Sequence, residues 1–259
     1  MIKKYLTLLG LFCLIYIPVS AQQDIAKSYN GPREALHIYL LIGQSNMAGR
    51  APLTTQQSSV IERCFLLNDN DQWEPAQNPL NRYSTIRKEL SMQKLNPGYS
   101  FAKAMLTANK NISIGLVVNA KGGTMIEQWK KGSIFYSEAV KRTEKAQQHG
   151  ILKGILWHQG ESNNQNPAGY LEKLETLISN LRHDLGIRDL PFIAGQVNNV
   201  PDINTQIEKL PQTLDFCGFV SSQGLTTFDR WHFDSGSMLI LGERYAEEML
   251  KIQLKRSEK

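Results

Sequence analysis

His37-Ile38-Tyr39-Leu40-Leu41-Ile42 runs straight into Gly43-Gln44-Ser45-Asn46-Met47, and that junction decides the fold. Six mostly apolar residues with β-branched and aromatic members have the length and make-up of a strand, and a glycine then ends the run. Ser45 stands where a helix should begin. A serine there reads in two ways: as the cap of the next helix, or as an exposed hydroxyl beside backbone N–H groups able to receive an anion.

Working outward, apolar runs of strand length recur at residues 64–67, 112–118, 154–157 and 191–195. Between them, residues 100–109, 135–149 and 168–185 carry helical patterning, the last with Tyr170, Leu171, Leu174, Leu177, Ile178 and Leu181 at helical spacing. A final helix is expected over about 237–254. Strands alternating with helices predict an α/β fold, a five-stranded parallel sheet covered on both faces. Residues 69–96 are rich in Asn, Gln, Pro and charge and read as a long irregular insertion, of a length more often functional than idle.

The first residues, MIKKYLTLLGLFCLIYIPVSAQQ, place Lys3 and Lys4 before an apolar run that ends in small residues. This is the pattern of a secretory signal peptide cut after Ala21, too short in its apolar part to span a bilayer. The expected organisation is therefore 1–21 as signal peptide and 22–259 as a single domain, secreted or periplasmic. The remaining chain keeps 27 basic and 24 acidic side chains with no basic cluster, which argues against a nucleic-acid partner. Only Cys64 and Cys217 remain, so no disulfide framework supports the fold.

Two more segments follow strands, where open α/β sheets bind ligands, and a third stands just before the final helix. Asn119-Ala-Lys-Gly122-Gly123-Thr124 offers glycine backbone for close approach to a ligand, or is an ordinary turn. Trp157-His158-Gln159-Gly160-Glu161-Ser162-Asn163 offers a side-chain donor in Gln159 and a carboxylate in Glu161. His158 and Glu161 lack the third ligand that a catalytic zinc site requires, so neither a metal nor any other cofactor is expected. Asp229-Arg-Trp-His232 spaces a carboxylate to reach Nδ1 of the imidazole, which would leave Nε2 free to take a proton from serine. Each alone has an ordinary structural reading. Together they supply a nucleophile, a base, an orienting acid and donors for an oxyanion. Trp73, Trp129 and Trp231 would either stack on the rings of a ligand or fill the core.

GQSNM, the Gly-Gly-Thr segment, WHQGESN and DRWH resemble the ordered blocks of the SGNH hydrolases, in the branch of sialate O-acetylesterase-like proteins and carbohydrate esterase family 6. The blocks span residues 43–232. The resemblance implies a flavodoxin-like three-layer α/β/α sandwich with strand order 2-1-3-4-5. That order would set Cys64 and Cys217 toward opposite edges, unbridged. It also implies Ser45 as nucleophile, His232 as base and an oxyanion hole of Ser45 N–H, Gly123 N–H and the Gln159 side chain. For the acid, Asp229 has the superfamily spacing, while Glu161 lies in the block that supplies it in some members of the branch. Gln44, Asn46, Arg50, Gly122 and His158 complete the expected substrate contacts. Asn163 departs from the branch, which often has Asp there.

The activity so implied is hydrolysis of acetyl esters on carbohydrate, with acetylated xylan as the first substrate expected and sialate 9-O-acetyl esters as the second. A carbohydrate-binding protein that has lost catalysis is the competing class. No apolar lid-like segment suggests long acyl chains.

Overall fold

In a computed structural model, residues 28–258 are described. The expected signal peptide lies outside the described residues. No helix among the described residues is long and apolar enough to cross a membrane.

Among the described residues seven strands form one sheet: β1 (Leu36–Gly43), β2 (Cys64–Leu67), β3 (Trp73–Pro75), β4 (Ser113–Val118), β5 (Ile151–His158), β6 (Phe192–Gly195) and β7 (Cys217–Val220). Their order is β3-β2-β4-β1-β5-β6-β7, and every pairing is parallel except β2 with β3. The expected count of five is thus corrected to seven. β3 is three residues inside the polar insertion, and β7 is four residues, Cys-Gly-Phe-Val, too short to stand out in the sequence.

The expected order 2-1-3-4-5 is also corrected, because β4 lies between β2 and β1. β1 pairs with β4 over six residues and with β5 over seven, whereas β2 pairs with β4 over three. The long apolar strands take the centre, where ladder bonds and burial on both faces are greatest, and the short β2 is left outside.

Among the described residues, six α-helices accompany the sheet: α1 (Ser45–Ala48), α2 (Gly98–Ala108), α3 (Ile134–Gln147), α4 (Tyr170–Asp184), α5 (Pro201–Thr213) and α6 (Ser235–Ser257). Along β1 the side chains alternate between two cores, as the two-residue period of a strand requires. Leu36, Ile38, Leu40 and Ile42 face the core that holds residues of α3, α4 and α5. Tyr39 and Leu41 face the core that holds residues of α2 and α6. The result is helices on both sides of a parallel sheet. α5 is not among the expected helices, although Pro201 opens it at a position that suits proline and Ile203, Ile207 and Leu210 line its buried side.

Cys64 on β2 and Cys217 on β7 are buried and free, near opposite ends of the sheet as expected. Five strand spacings separate them, on the order of 24 Å, against the roughly 7 Å a disulfide spans.

Candidate active site

The carboxyl ends of β1, β4 and β5 open onto a cleft of about 460 Å³. From the expected set, Gln44, Ser45, Arg50, Gly122, Gly123, Glu161 and His232 line it. Lys88, Met92, Ser162, Asn164, Gln165 and Trp231 join them.

Gly43 makes the junction possible. Its φ is +136°, and a Cβ there would stand 2.2 Å from the backbone oxygen of His158. The next residue, Gln44, donates its N–H to that same oxygen at 2.8 Å. Only glycine lets β1 lie so close to β5 and then turn into α1, which delivers Ser45 to the cleft. Across the cleft floor, a Cβ on Gly122 would come within 2.8 Å of Arg50 Nη2 and 3.3 Å of Ser45 Cβ. Gly122 therefore lies directly against the serine.

The insertion between β2 and α2 holds that glycine loop. The Asn81 side chain donates to the Ala120 carbonyl and accepts from the Ala120 N–H, both at 3.0 Å, and Thr85 N–H donates to Asn119 Oδ1 at 3.0 Å. The same insertion brings Lys88 and Met92 to the cleft, which no sequence motif announced beyond the segment's length.

His232 stands on the turn before α6. Its Nδ1 lies 2.7 Å from Asp229 Oδ2, and Asp229 Oδ1 accepts the N–H groups of Trp231 and His232, both at 2.8 Å. Partial burial pushes the Asp229 carboxyl up, but the ring and the two N–H groups together hold it below the usual carboxylate range. Asp234 caps α6 by accepting Ser237 N–H at 2.8 Å, which fixes the exit of the turn. Phe228, half-exposed, stacks on the His232 ring with centroids 5.9 Å apart.

Behind the cleft lies a second polar group. Asn46 is fully buried and not at the cleft wall, contrary to its expected role in substrate contact. It donates to Glu161 Oε1 at 2.7 Å and to the Trp231 carbonyl at 3.1 Å, and accepts Phe233 N–H at 3.2 Å. Glu161 Oε1 is 3.9 Å from His158 Nε2. Burial raises the Glu161 carboxyl to about 7 and lowers the His158 imidazole to about 3. His158, also expected to touch substrate, is enclosed between the rings of Phe233 and Tyr245.

Gln159 too is turned inward. Its Nε2 donates to the Thr124 carbonyl and to Asn163 Oδ1, both at 2.8 Å, and is 3.2 Å from Gln44 Oε1. With its N–H groups engaged and its side chain fully buried, it braces the glycine loop instead of presenting a donor to the cleft. Asn163 Oδ1 adds a second brace by accepting Ile126 N–H at 3.0 Å. Of the three tryptophans considered, Trp73 and Trp129 are core and Trp231 lines the cleft, with the Arg230 guanidinium 4.5 Å over its ring.

Two cations reach the cleft. Arg50 spends Nη1 on the carbonyls of Gly49 and Met92, both at 2.8 Å, which leaves Nη2 toward Gly122. Lys88 Nζ stands beside Gly123. Among the described residues no three His, Cys, Asp or Glu side chains are grouped to hold a metal ion.

Residues 35–251 match the family model described as carbohydrate esterase, sialic acid-specific acetylesterase. A probable carbohydrate esterase of Arabidopsis thaliana is 36% identical over 180 residues, 60% of this chain and 66% of the relative. The solved structure of that plant protein superposes with a TM-score of 0.75 at 29% identity, covering 85% of this chain and 99% of the other. A carbohydrate acetylesterase from Xanthomonas citri shares the fold at a TM-score of 0.64 and 19% identity, over 85% of this chain and 57% of its own.

Proposed function

Since the chain belongs to the carbohydrate esterase, sialic acid-specific acetylesterase family, we propose that it is a carboxylic ester hydrolase that removes acetyl groups from carbohydrate, with Ser45, His232 and Asp229 as its triad. The observation that carries this reading is that Ser45 and His232 line one cleft while Asp229 holds Nδ1 of the ring at 2.7 Å.

In the proposed mechanism Asp229 accepts a hydrogen bond from Nδ1–H and so fixes the tautomer with a bare Nε2. Ser45 Oγ attacks the acetyl carbonyl as its proton passes to His232 Nε2. The oxyanion is received by the N–H groups of Ser45 and Gly123, each such donor being worth about 2.7 to 4 kcal/mol in the transition state. Collapse breaks the ester bond, and His232 returns the proton to the departing sugar oxygen. Water, deprotonated by His232, then attacks the acetyl-enzyme, and as the acyl bond breaks His232 returns the proton to Ser45 Oγ, releasing acetate and the free enzyme.

For the sugar there are two readings. Acetylated xylan is the neutral one. The Arg50 Nη2 edge and Lys88 favour the other, an acetylated acidic sugar such as sialate, whose carboxylate would pair with them. Export by removal of residues 1–21 belongs to the same proposal, and N-terminal sequencing of the secreted protein should begin at Gln22.

Acetate release from a chromogenic acetyl ester, run beside Ser45→Ala with both proteins shown folded by circular dichroism, tests the core of the reading. Turnover by the parent alone supports it. A folded parent inactive on that ester and on acetylated glycans overturns it in favour of carbohydrate binding without catalysis.

A further inference from the structure

Asn46 sits next to Ser45 in α1, yet its side chain turns away from the cleft and grips the opposite element. It takes the carbonyl of Trp231 and the N–H of Phe233, the two residues that flank His232. One short side chain thus ties the turn that carries the base to the turn that carries the nucleophile.

An amide makes such a grip in only one orientation. Rotated by 180°, Asn46 would set Oδ1 against the Trp231 carbonyl and Nδ2 against the Phe233 N–H, acceptor to acceptor and donor to donor. The second N–H of Nδ2 donates to Glu161 Oε1 at 2.7 Å, a third bond that the flipped amide would also lose and that holds the side chain in place for the other two. Glu161 is 4% exposed and Asn46 is fully enclosed, so water does not compete for this bond. Glu161 has no bond to His232 among the described residues, whose ring is held by Asp229.

We propose that Glu161 is a positioning residue for the reaction: as the fixed acceptor for Asn46, it locks the His232 turn in register with Ser45. The proposal rests on the Ser45–His232 esterase reading for its kinetic readout and on the geometry alone for its structural one. Oε1 accepts from Asn46 whether or not the carboxyl carries a proton, so the lock needs an oxygen acceptor and not a charge. Glutamine at this position keeps the acceptor, while alanine and methionine remove it.

The test compares Glu161→Gln, Glu161→Ala and Asn46→Ala in the full protein, with thermal unfolding to follow stability and Glu161→Met as a volume-matched substitute should Glu161→Ala fail to fold. With a chromogenic acetyl ester, Glu161→Ala and Asn46→Ala are expected to lower kcat about ten- to a hundredfold with KM little changed, the size of effect a misplacement of about 1 Å produces. Glu161→Gln should keep kcat within about threefold of the parent, since it leaves the acceptor in place. The double variant Glu161→Ala/Asn46→Ala should be no slower than Asn46→Ala alone, because both act through one contact. In parallel, the imidazole nitrogen signals of His232, read by NMR on labelled protein, should be single and sharp in the parent and Glu161→Gln and broadened in Glu161→Ala. That measurement decides the proposal even if the parent releases no acetate and the esterase reading falls. Unchanged kcat or unchanged His232 signals in Glu161→Ala overturn the lock, as do losses that multiply in the double variant. A Glu161→Gln variant as slow as Glu161→Ala would show that the charge matters, and would overturn it too.

Discussion

Two pairs of a histidine and a carboxylate three residues apart come together near the cleft, Asp229 with His232 and His158 with Glu161, and they behave in opposite ways. The first faces the cleft, with the Asp229 side chain 43% exposed, a 2.7 Å contact to the ring and a carboxyl held below its ordinary range. The second is buried, with Glu161 at the cleft wall and His158 behind it 3.9 Å away, the carboxyl raised to about 7 and the imidazole lowered to about 3, so that burial suppresses charge on both partners. Equal spacing in sequence therefore produces an ionised acid that can orient a base in one place and a nearly neutral hydrogen-bonding frame in the other. The environment, not the motif, assigns the role.

Breaking the front pair should cost most. Asp229→Asn is expected to lower kcat by a factor of about 10⁴ by losing the tautomer that frees Nε2, whereas Glu161→Gln in the rear pair stays near the parent. Steady-state kinetics on the two variants side by side checks this, and equal losses would erase the distinction drawn between the pairs.

The next effect is on stability. Gly43→Ala would drive a Cβ into the His158 backbone at a positive φ and should destabilise the fold by on the order of 4 kcal/mol, combining overpacking with backbone strain. Urea unfolding measures it. A shift under 1 kcal/mol would mean that β1 and β5 do not meet as closely as described.

The rear pair predicts a pH signature. Glu161, raised from 4.5 to about 7 in the fold, contributes stability that is present below about 4.5 and is lost as pH rises through about 7, on the order of 3 kcal/mol in all. His158, lowered from 6.5 to about 3, contributes stability that is present above about 6.5 and is lost as pH falls toward 3. Between pH 4.5 and 6.5 the two slopes oppose each other. Glu161→Gln removes one of them, so its stability relative to the parent should climb across that range up to about pH 7. Unfolding curves that stay parallel from pH 4.5 to 8 would sink the assignment of a raised carboxyl.

The smallest effect concerns the charges at the front. Lys88→Gln should raise KM for an acetylated acidic sugar by about fivefold, the scale of a partly exposed ion pair, and leave acetylated xylo-oligomers unaffected. Equal KM shifts on both substrates would remove the reason to favour the acidic sugar.

Much of this architecture was readable beforehand, because strand-length apolar runs ending in glycine or polar residues are a direct product of backbone periodicity. β1, β2, β4, β5 and β6 fall on the expected runs, and Ser45, Gly123 and His232 reach the same cleft. β3 and β7 were not legible, since three or four residues carry too little periodicity to register. The position of Gln159 at a strand end is legible in the sequence, but the direction of its side chain is not. Its orientation is set by the Thr124 carbonyl and Asn163 Oδ1, and no spacing rule reports that a side chain turns back on the loop behind it. Lys88 was hidden in an irregular segment whose path is determined by contacts such as Asn81 with Ala120, distant in the chain.

The sequence by itself determined the alternation of strands and helices, the glycine that ends β1 and the Asp-x-x-His spacing, because each depends on backbone geometry within a few residues. Tertiary structure alone decided that β4 separates β1 from β2, that Phe233 and Tyr245 close over His158, and that Asn46 reaches the turn of His232. Those outcomes rest on burial, and burial is a property of which surfaces meet, which no local stretch of chain contains.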